Sequence, residues 1–258
     1  MLSSNYKWKE DDGTMKIKFK KLAFFMLFVL SFTLLFSFGG EKASASEELS
    51  TAPDLSYETY EKLVNEGILG EDISYDLWVS INTESSEGGA FSSGVDEPTI
   101  STLAAYTLKT GDILISNGTS SAGLTGHAGI AISTSEILHI SGPGAYPTVV
   151  SLDTWVSIYG KGKGGNVKTE VYRIASSYDA SQAANWASDN YKGKKYSYGI
   201  TTTLHKLDPT YCSKIVWQAY LNGPYSAQVF NPAGMIVLPY SLPSYFKKEA
   251  DIKQVTTI

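Results

Sequence analysis

The sequence predicts a protein of the α+β class, and two observations lead to that prediction. Between residues 108 and 174, short runs of apolar and β-branched residues alternate with loops rich in Gly, Ser and Thr, which is typical of antiparallel strands. Before and after this region, apolar residues recur at helical spacing. Strands grouped together with helices at the ends indicate an antiparallel sheet covered by helices.

The first 45 residues have the order of a secretory signal peptide. Four lysines between residues 16 and 21 precede an apolar run of 17 residues, and Ala43-Ser44-Ala45 follows as a small-residue cleavage pattern. Met15 suits the start of such a signal better than Met1, because the residues before it are polar. We expect residues 1–45 to be removed, which predicts a secreted or cell-envelope protein. An uncleaved anchor is the alternative, since 17 residues is near the lower limit for spanning a bilayer.

Charge and cysteine count narrow the function classes. Removal of residues 1–45 takes away seven lysines and four acidic residues, which leaves 14 basic and 22 acidic side chains and a net charge of about −8. This balance argues against nucleic acid or an anionic membrane surface as a partner. Contact with a membrane is expected only through an uncleaved signal segment. The single cysteine, Cys212, permits no internal disulfide, so an unpaired thiol in an exported protein points to reactivity.

Residues 46–98 are interpreted as an N-terminal appendage and linker, and residues 99–258 as the main domain. The spacing of apolar residues predicts a helix over 57–69, followed by a further apolar segment over 75–81. Residues 83–97 are rich in Ser, Gly and Glu, which is typical of a linker.

The main domain contains five predicted strands, a short helix and two longer helices. The first helix is expected to begin at Asp153, and the last carries Cys212 at its start. A turn that leads into a buried strand is expected over 108–116, and further strands over 127–132, 137–140, 148–152 and 167–174. A helix is expected over 180–191.

Cys212 lies where the last helix is expected to begin. Ile215, Val216 and Ala219 follow it at helical spacing, and Thr210 is a candidate cap. A thiol in the first turn faces the positive end of the helix dipole, which predicts a depressed pKa and a reactive thiolate if a base lies near. The alternative is a small buried apolar residue, which is the common fate of a free cysteine.

Three histidines are candidates for that base. His127 opens a strand after a Gly-rich loop, and imidazole titrates near neutrality, so it suits a general base; a structural histidine is the alternative. A hairpin centred on Ser133 predicts that His139 lies opposite His127 on one face of the sheet, with Glu136 on the other face. His205 lies in a loop seven residues before Cys212 and is expected to be solvated.

Four motifs stand out along the main domain: Gly111-Asp112-Ile113-Leu114, Gly126-His127-Ala128-Gly129-Ile130, Leu138-His139 and Tyr211-Cys212-Ser213-Lys214-Ile215-Val216-Trp217-Gln218-Ala219-Tyr220. Together they resemble the permuted NlpC/P60 papain-like cysteine hydrolases of the YiiX/YycO-like group, which are distantly similar to lecithin retinol acyltransferase. The resemblance covers roughly residues 108–240 and does not extend to residues 1–98. It implies a circularly permuted papain-like fold, in which a small antiparallel sheet packs against the nucleophile helix.

The resemblance also implies roles for individual residues. Cys212 matches the nucleophile, His127 the base and His139 the residue that orients the base. The backbone N–H of Cys212 would supply one oxyanion donor, and Tyr198 or Tyr211 is a candidate for the second.

These roles predict a secreted thiol hydrolase that cleaves an amide, with a cell-wall peptide as the expected substrate, through a thioester acyl-enzyme. One alternative is an acyltransferase or lipid esterase that uses the same Cys-His-His site, with Tyr146, Trp155, Tyr159 and Trp217 as candidates for an acyl channel or for the core. Another is a binding module with an idle site. Zinc held by Cys212 and the two histidines is disfavoured, because no closely spaced ligand pair exists. The expected partner is a peptidoglycan peptide or an acyl-amide substrate, without a cofactor or metal.

Overall fold

The computed structural model describes residues 54–88, 106–121, 124–232 and 235–258. The expected cleavage site after Ala45 and most of the predicted linker lie outside these ranges. Within them, no helix combines the length and apolar character that crossing a bilayer requires.

The described chain forms five α-helices and six strands, and the α+β class is confirmed. The strands form one antiparallel sheet in the order β4-β3-β2-β1-β5-β6. In chain order, the elements are α1 (Tyr57–Asn65), α2 (Tyr75–Gly88), β1 (Ile113–Ser121), β2 (Leu124–Ala131), β3 (Glu136–His139), β4 (Thr148–Ser151), α3 (Leu152–Tyr159), β5 (Thr169–Arg173), α4 (Ser177–Tyr191), α5 (Cys212–Asn222) and β6 (Lys253–Thr257).

Alternation along the strands gives the sheet two buried faces. On the face that we call the α5 face, Ile115, Ala128 and Ile130 share one hydrophobic cluster with buried residues of α4 and α5. On the opposite face, which we call the α3 face, Leu114 and Ile137 pack with aromatic residues of α3. The sheet therefore separates two cores, and the candidate site lies where elements of both meet.

The N-terminal helices belong to the larger core. Ser56 caps α1 by accepting a hydrogen bond from the backbone N–H of Thr59. The helix ends at Asn65, earlier than predicted, because Gly67 adopts a left-handed φ of 69°. Buried side chains of the N-terminal segment, Leu63, Ile68, Leu69, Ile73, Trp78 and Ile81, join the cluster that contains Cys212.

The linker prediction was wrong for residues 83–88, because α2 continues through them to Gly88. Ser and Glu are weak indicators of a linker, since both are compatible with a helix. The composition therefore placed the start of the linker six residues too early.

The N-cap of α5 lies one residue later than predicted, at Tyr211 instead of Thr210. Tyr211 occupies the N-cap position without a side-chain cap, whereas the N–H of Thr210 donates to the carbonyl of Ser197 at 2.9 Å. The Nζ of Lys214, on the first turn of α5, donates to the carbonyls of Thr203 (3.0 Å) and Pro209 (2.8 Å). Burial lowers the pKa of Lys214 to about 8. The loop before Cys212 is thus fixed by hydrogen bonds from the helix itself.

Candidate functional site

Cys212 is the first residue of α5 and is only 1% exposed. The backbone N–H of Ala128, on β2, hydrogen-bonds to the sulfur in its thiolate form. The N–H of Ala131 donates to the carbonyl of Asp112, and its carbonyl accepts from the N–H of Gly111, so both groups point to the β1 side of β2. Backbone groups of successive strand residues alternate in direction, so the N–H of Ala128, three residues away, points to the β3 side. Pairing of β2 with β3 is confined to Ile130–Leu138 and Ala131–Ile137. The sulfur therefore lies at the point where β2 and β3 separate.

His127 and His139 lie together on the α3 face. The Nε2 atom of His127 is 2.9 Å from the Nδ1 atom of His139, and the side chains are 0% and 2% exposed. The β2–β3 register places the turn one residue later than predicted, centred on Thr134. If this pairing is continued along the strands, His139 lies opposite Gly129 and not opposite His127. Because this shift moves the pairing by two positions, the histidines still share a face.

The other two candidates for an orienting residue lie away from the histidine pair. Glu136 has the opposite parity on β3 and contacts the hydroxyl of Ser133 at 3.4 Å. His205 is exposed, and its ring centroid lies 6.0 Å from that of Trp217 on α5.

The structure brings His127 and His139 into contact, and it places Cys212 beside the chain neighbour of His127. Within the described residues, no hydrogen bond joins the thiol to either imidazole. The outer nitrogens, Nδ1 of His127 and Nε2 of His139, are buried and have no hydrogen-bond partner in this part of the chain. Nδ1 of His127, the atom that would accept a thiol proton, therefore has no competing hydrogen bond in the described residues.

The hydrogen bond between the two histidines couples their tautomers. A neutral imidazole carries one N–H and one acceptor nitrogen. If Nε2 of His127 donates to Nδ1 of His139, then Nδ1 of His127 has a free lone pair. The reverse donation would place the proton on Nδ1 of His127 and remove its capacity to act as a base. The first arrangement is thus the base-competent tautomer, and it depends on His139 accepting the hydrogen bond.

Two aromatic residues of α3 enclose the histidine pair. The ring centroid of Tyr159 lies 4.4 Å from that of His127, and Trp155 stacks on the same imidazole at 5.4 Å. The indole N–H of Trp155 donates to the hydroxyl of Thr169 at 3.0 Å, and this hydroxyl donates to the carbonyl of Tyr159 at 2.7 Å. The hydroxyl of Ser116 binds the same carbonyl. From the sequence, Trp155 and Tyr159 are equally compatible with the core and with an acyl channel. Their spacing of four residues on α3 predicts that they share one face of the helix.

Burial sets the charge state of the site. Desolvation raises the pKa of the Cys212 thiol, although the N–H groups of Ala128 and Ser213 act in the opposite direction. Desolvation also lowers the pKa of His127, to which the neighbouring His139 contributes, and it lowers the pKa of His139 to about 4. The predicted depressed pKa of Cys212 was wrong, because removal from water outweighs the favourable N–H groups. At neutral pH the site holds a neutral thiol and neutral imidazoles.

The segment after residue 235 covers the site. The hydroxyl of Tyr211 accepts the N–H of Val237 at 2.9 Å, and the hydroxyl of Ser213 donates to the carbonyl of Val237 at 2.6 Å. The ring of Tyr240 lies on Gly126, where a Cβ would be 2.8 Å from the ring and where φ is +86°. Tyr211, a candidate oxyanion donor, therefore anchors this cover. The other candidate, Tyr198, is buried beside Thr210, with which it forms a parallel bridge.

Across the described part of the chain, no group of three or more His, Cys, Asp or Glu side chains has an arrangement that could hold a metal ion.

A buried cysteine at a helix N-terminus, whose sulfur contacts the strand residue that follows His127 of the hydrogen-bonded histidine pair, defines a candidate thiol-dependent site. Residues 90–258 match the family described as "Lipoprotein N-acylation protein LnsA-like", and the chain belongs to that family. The family description indicates an enzyme with lipoprotein acyltransferase-type activity.

Two individual proteins are similar to this chain. An "Uncharacterized 30.3 kDa protein" of Bacillus thuringiensis is 35% identical over 267 residues, which cover 88% of this chain and 95% of that protein. The crystal structure of "metalloprotein yiiX from Escherichia coli O157:H7, DUF1105" matches with a TM-score of 0.35 and 18% identity over 58% of this chain and 96% of that one. Membership in the acylation family favours the acyltransferase alternative over amide hydrolysis.

Proposed function

We propose that this protein is an acyltransferase that carries an acyl group from an ester donor to an amine of a lipoprotein as a thioester on Cys212. The observation that carries the proposal is the placement of the sulfur at the start of α5, against the N–H of Ala128, whose chain neighbour His127 is hydrogen-bonded to His139. The family supports lipoprotein N-acylation as the reaction class.

In the first half-reaction, Nδ1 of His127 accepts the thiol proton while the sulfur attacks the ester carbonyl. The C–S bond forms, the ester C–O bond breaks, and the alcohol leaves with the proton from His127. The backbone N–H of Cys212 faces the developing oxyanion as one donor. His139 keeps the base in the competent tautomer by accepting the Nε2–H of His127.

In the second half-reaction, the acceptor amine attacks the thioester carbonyl. The C–N bond forms and the C–S bond breaks, while His127 takes a proton from the amine and returns it to the sulfur. The N–H of Ala128 hydrogen-bonds to the thiolate as it leaves. Deprotonating the thiol only when substrate is bound suits a buried cysteine whose pKa is raised.

Burial of the site supports transfer over hydrolysis. Cys212 and His127 are enclosed by apolar and aromatic residues, so water has little access to an acyl group on the sulfur. Hydrolysis of the thioester needs water at this place, whereas a bound amine displaces it.

The test uses the full chain with phospholipid vesicles that carry a labelled acyl chain and a synthetic diacylglyceryl-cysteine peptide with a free α-amine. Mass spectrometry should find one added acyl group on the peptide amine, and a hydroxylamine-sensitive acyl group on the Cys212 peptide of the enzyme. Cys212→Ala should abolish both products, while His205→Ala, which alters an exposed histidine, should retain them. Release of free fatty acid alone, or cleavage of purified peptidoglycan without N-acylation, would replace transfer by hydrolysis.

We also propose that the protein works outside the cytoplasmic membrane, which the lysine-rich, apolar, Ala-Ser-Ala order of residues 1–45 supports. Terminal sequencing of the protein from the envelope fraction of its host should give an N-terminus near Ser46. A full-length chain embedded in the membrane would contradict cleavage.

A further inference from the structure

A cavity of about 450 Å³ lies between three segments of the chain. Glu66 and Gly67 contribute from the end of α1, and residues 144–146 contribute from the loop after β3. Residues 197–198 and 208–209 contribute from the chain that leads to α5. Two of these positions were singled out from the sequence, Tyr198 as a candidate oxyanion donor and Tyr146 as a candidate for an acyl channel or the core.

The walls of the cavity continue directly into the candidate catalytic elements. The loop over 144–146 follows β3, which ends at His139, and Pro209 precedes Cys212 by three residues. The N–H of Gly199 donates to the carbonyl of Thr210 at 2.9 Å, which fixes one wall to the start of α5. The N–H of Ile200 donates to the carbonyl of Ile68 at 2.8 Å, which ties the α1 wall to the same segment. The cavity is therefore built by backbone pairing, next to the thiol site.

The cavity has a negative lining. One carboxylate oxygen of Asp208 accepts from the N–H and the hydroxyl of Ser197, both at 2.8 Å. The backbone N–H of Glu66 donates to the carbonyl of Lys62 at 2.9 Å, but its exposed side chain has no hydrogen-bond or ion-pair partner in the described part of the chain. The nearby ammonium of Lys214 is committed to backbone carbonyls, one of them that of Pro209 behind the cavity wall. Both residues line the cavity: Asp208 interacts electrostatically with the ammonium of Lys214, whereas the Glu66 side chain has no ion pair in the described part of the chain.

An aromatic side chain completes the lining. Tyr146 is 53% exposed and borders the cavity. A tyrosine face attracts cations, and carboxylates form charge-assisted hydrogen bonds with N–H donors. A concave site with a few convergent polar groups is typical of small-ligand binding.

We infer that this cavity binds an alkylammonium group of a substrate, an inference that rests on the proposed acyl transfer. Two sources share this chemistry, the α-amino group of the acceptor and the ammonium headgroup of a donor phospholipid. Glu66 and Gly67 precede residues 90–258, the part that matches the family. The N-terminal helices therefore contribute to substrate selection by forming one wall of the site.

Binding is measured by calorimetry on full-length Cys212→Ala protein, so that no turnover occurs. The acceptor arm compares a soluble S-alkyl-cysteine peptide that has a free α-amine with its N-acetylated form. The donor arm compares glycerophosphoethanolamine with glycerophosphoglycerol. Tighter binding of the amine-bearing member in one arm identifies the source.

Glu66→Gln or Asp208→Asn should weaken binding of that ligand by about threefold, and the double variant by about tenfold, as expected for partly exposed ion pairs. Asparagine keeps the oxygen that accepts from Ser197, so the wall is retained. Glu61→Gln and Asp189→Asn remove one exposed charge each from α1 and α4, away from the cavity, and should change binding less than twofold.

Equal binding of the amine-bearing and amine-free ligands in both arms, or no binding in either, overturns the inference. So does an unchanged affinity in the double variant when circular dichroism shows a native fold. The outcome is separate from that of the proposed function: ammonium binding that depends on Glu66 together with absent acyl transfer would sink the transfer proposal alone. Transfer with an unchanged KM in the double variant would sink the cavity alone.

Discussion

The Nε2 atom of His127 lies 2.9 Å from the Nδ1 atom of His139, so the two imidazoles form one hydrogen-bonded unit. In this unit only one direction of donation leaves Nδ1 of His127 able to accept a proton. The aromatic rings of Trp155 and Tyr159 hold the imidazole of His127 in place. Loss of His139 therefore removes control of the tautomer while leaving the base itself present.

The first prediction follows from that unit. We expect His139→Ala to lower kcat of acyl transfer by about one to three orders of magnitude, because an orienting partner of a catalytic base contributes on that scale. Steady-state kinetics with the labelled donor and the lipopeptide measure this effect, and circular dichroism checks the fold.

Glu136→Ala and His205→Ala are the matched controls for His139→Ala. Both should stay within about tenfold of the wild-type rate, since Glu136 lies on the other face of β3 and His205 is exposed. A nearly active His139→Ala together with an inactive Glu136→Ala would assign the orienting role to Glu136.

Much of this site could be predicted from the sequence, because parity along a strand is a local property. The turn is centred on Thr134 instead of the predicted Ser133, which shifts the strand pairing by two residues. A shift of two residues keeps His127 and His139 on the same face of the sheet, as predicted. The buried face of α5 could also be predicted, because the spacing of apolar residues along a helix is a local property of the sequence. Several strands were also placed within a few residues of their observed positions.

Other features required the folded chain. The sulfur lies where β2 and β3 separate, and no local pattern reveals where a pairing stops. The pKa of Cys212 depends on burial by distant segments, among them the cover around Tyr240, so a helix N-terminus alone led to the wrong direction. Glu66 lies over 140 residues from Cys212 in sequence, and only tertiary pairing brings its segment next to the thiol site.

The second prediction concerns the reactivity of the free thiol. Burial raises the pKa of Cys212 above its usual 9.0, so little thiolate is present at pH 7. We expect iodoacetamide to alkylate Cys212 more slowly than free cysteine at pH 7, with a rate that rises above pH 9. Mass spectrometry of labelled peptides over a pH series measures the rate. Faster labelling than free cysteine at pH 7 would show a stabilised thiolate and contradict the burial argument.

The third prediction concerns the cover over the site. Tyr240 lies on Gly126, next to His127, so removing its ring should open a path to the thiol. Tyr240→Ala should speed alkylation of Cys212 by roughly tenfold, because local opening then costs less free energy. Tyr225→Ala is the matched control, since Tyr225 is 99% exposed. Equal labelling rates in Tyr240→Ala and wild type would mean that access to Cys212 runs along another route.

The last prediction is a loss of stability in mild acid. His139 titrates near 6.5 in the unfolded chain and near 4 in the folded protein. Between these pH values the unfolded state binds more protons, so the free energy of unfolding falls as the pH drops. His127 acts in the same direction, whereas burial raises the pKa of Glu170, which acts in the opposite direction.

A comparison of wild type with His139→Gln isolates the contribution of His139, because Glu170 is present in both proteins. From pH 7.5 to pH 5.5, wild type should lose about 1 kcal/mol more than His139→Gln, as the shift from 6.5 to about 4 implies. Urea unfolding at the two pH values, followed by circular dichroism, measures the free energies. His139→Gln is expected to be less stable at pH 7.5, since glutamine replaces a packed ring, so only the change with pH is diagnostic. Parallel losses in the two proteins would mean that His139 takes up its proton in the folded state as readily as in the unfolded chain.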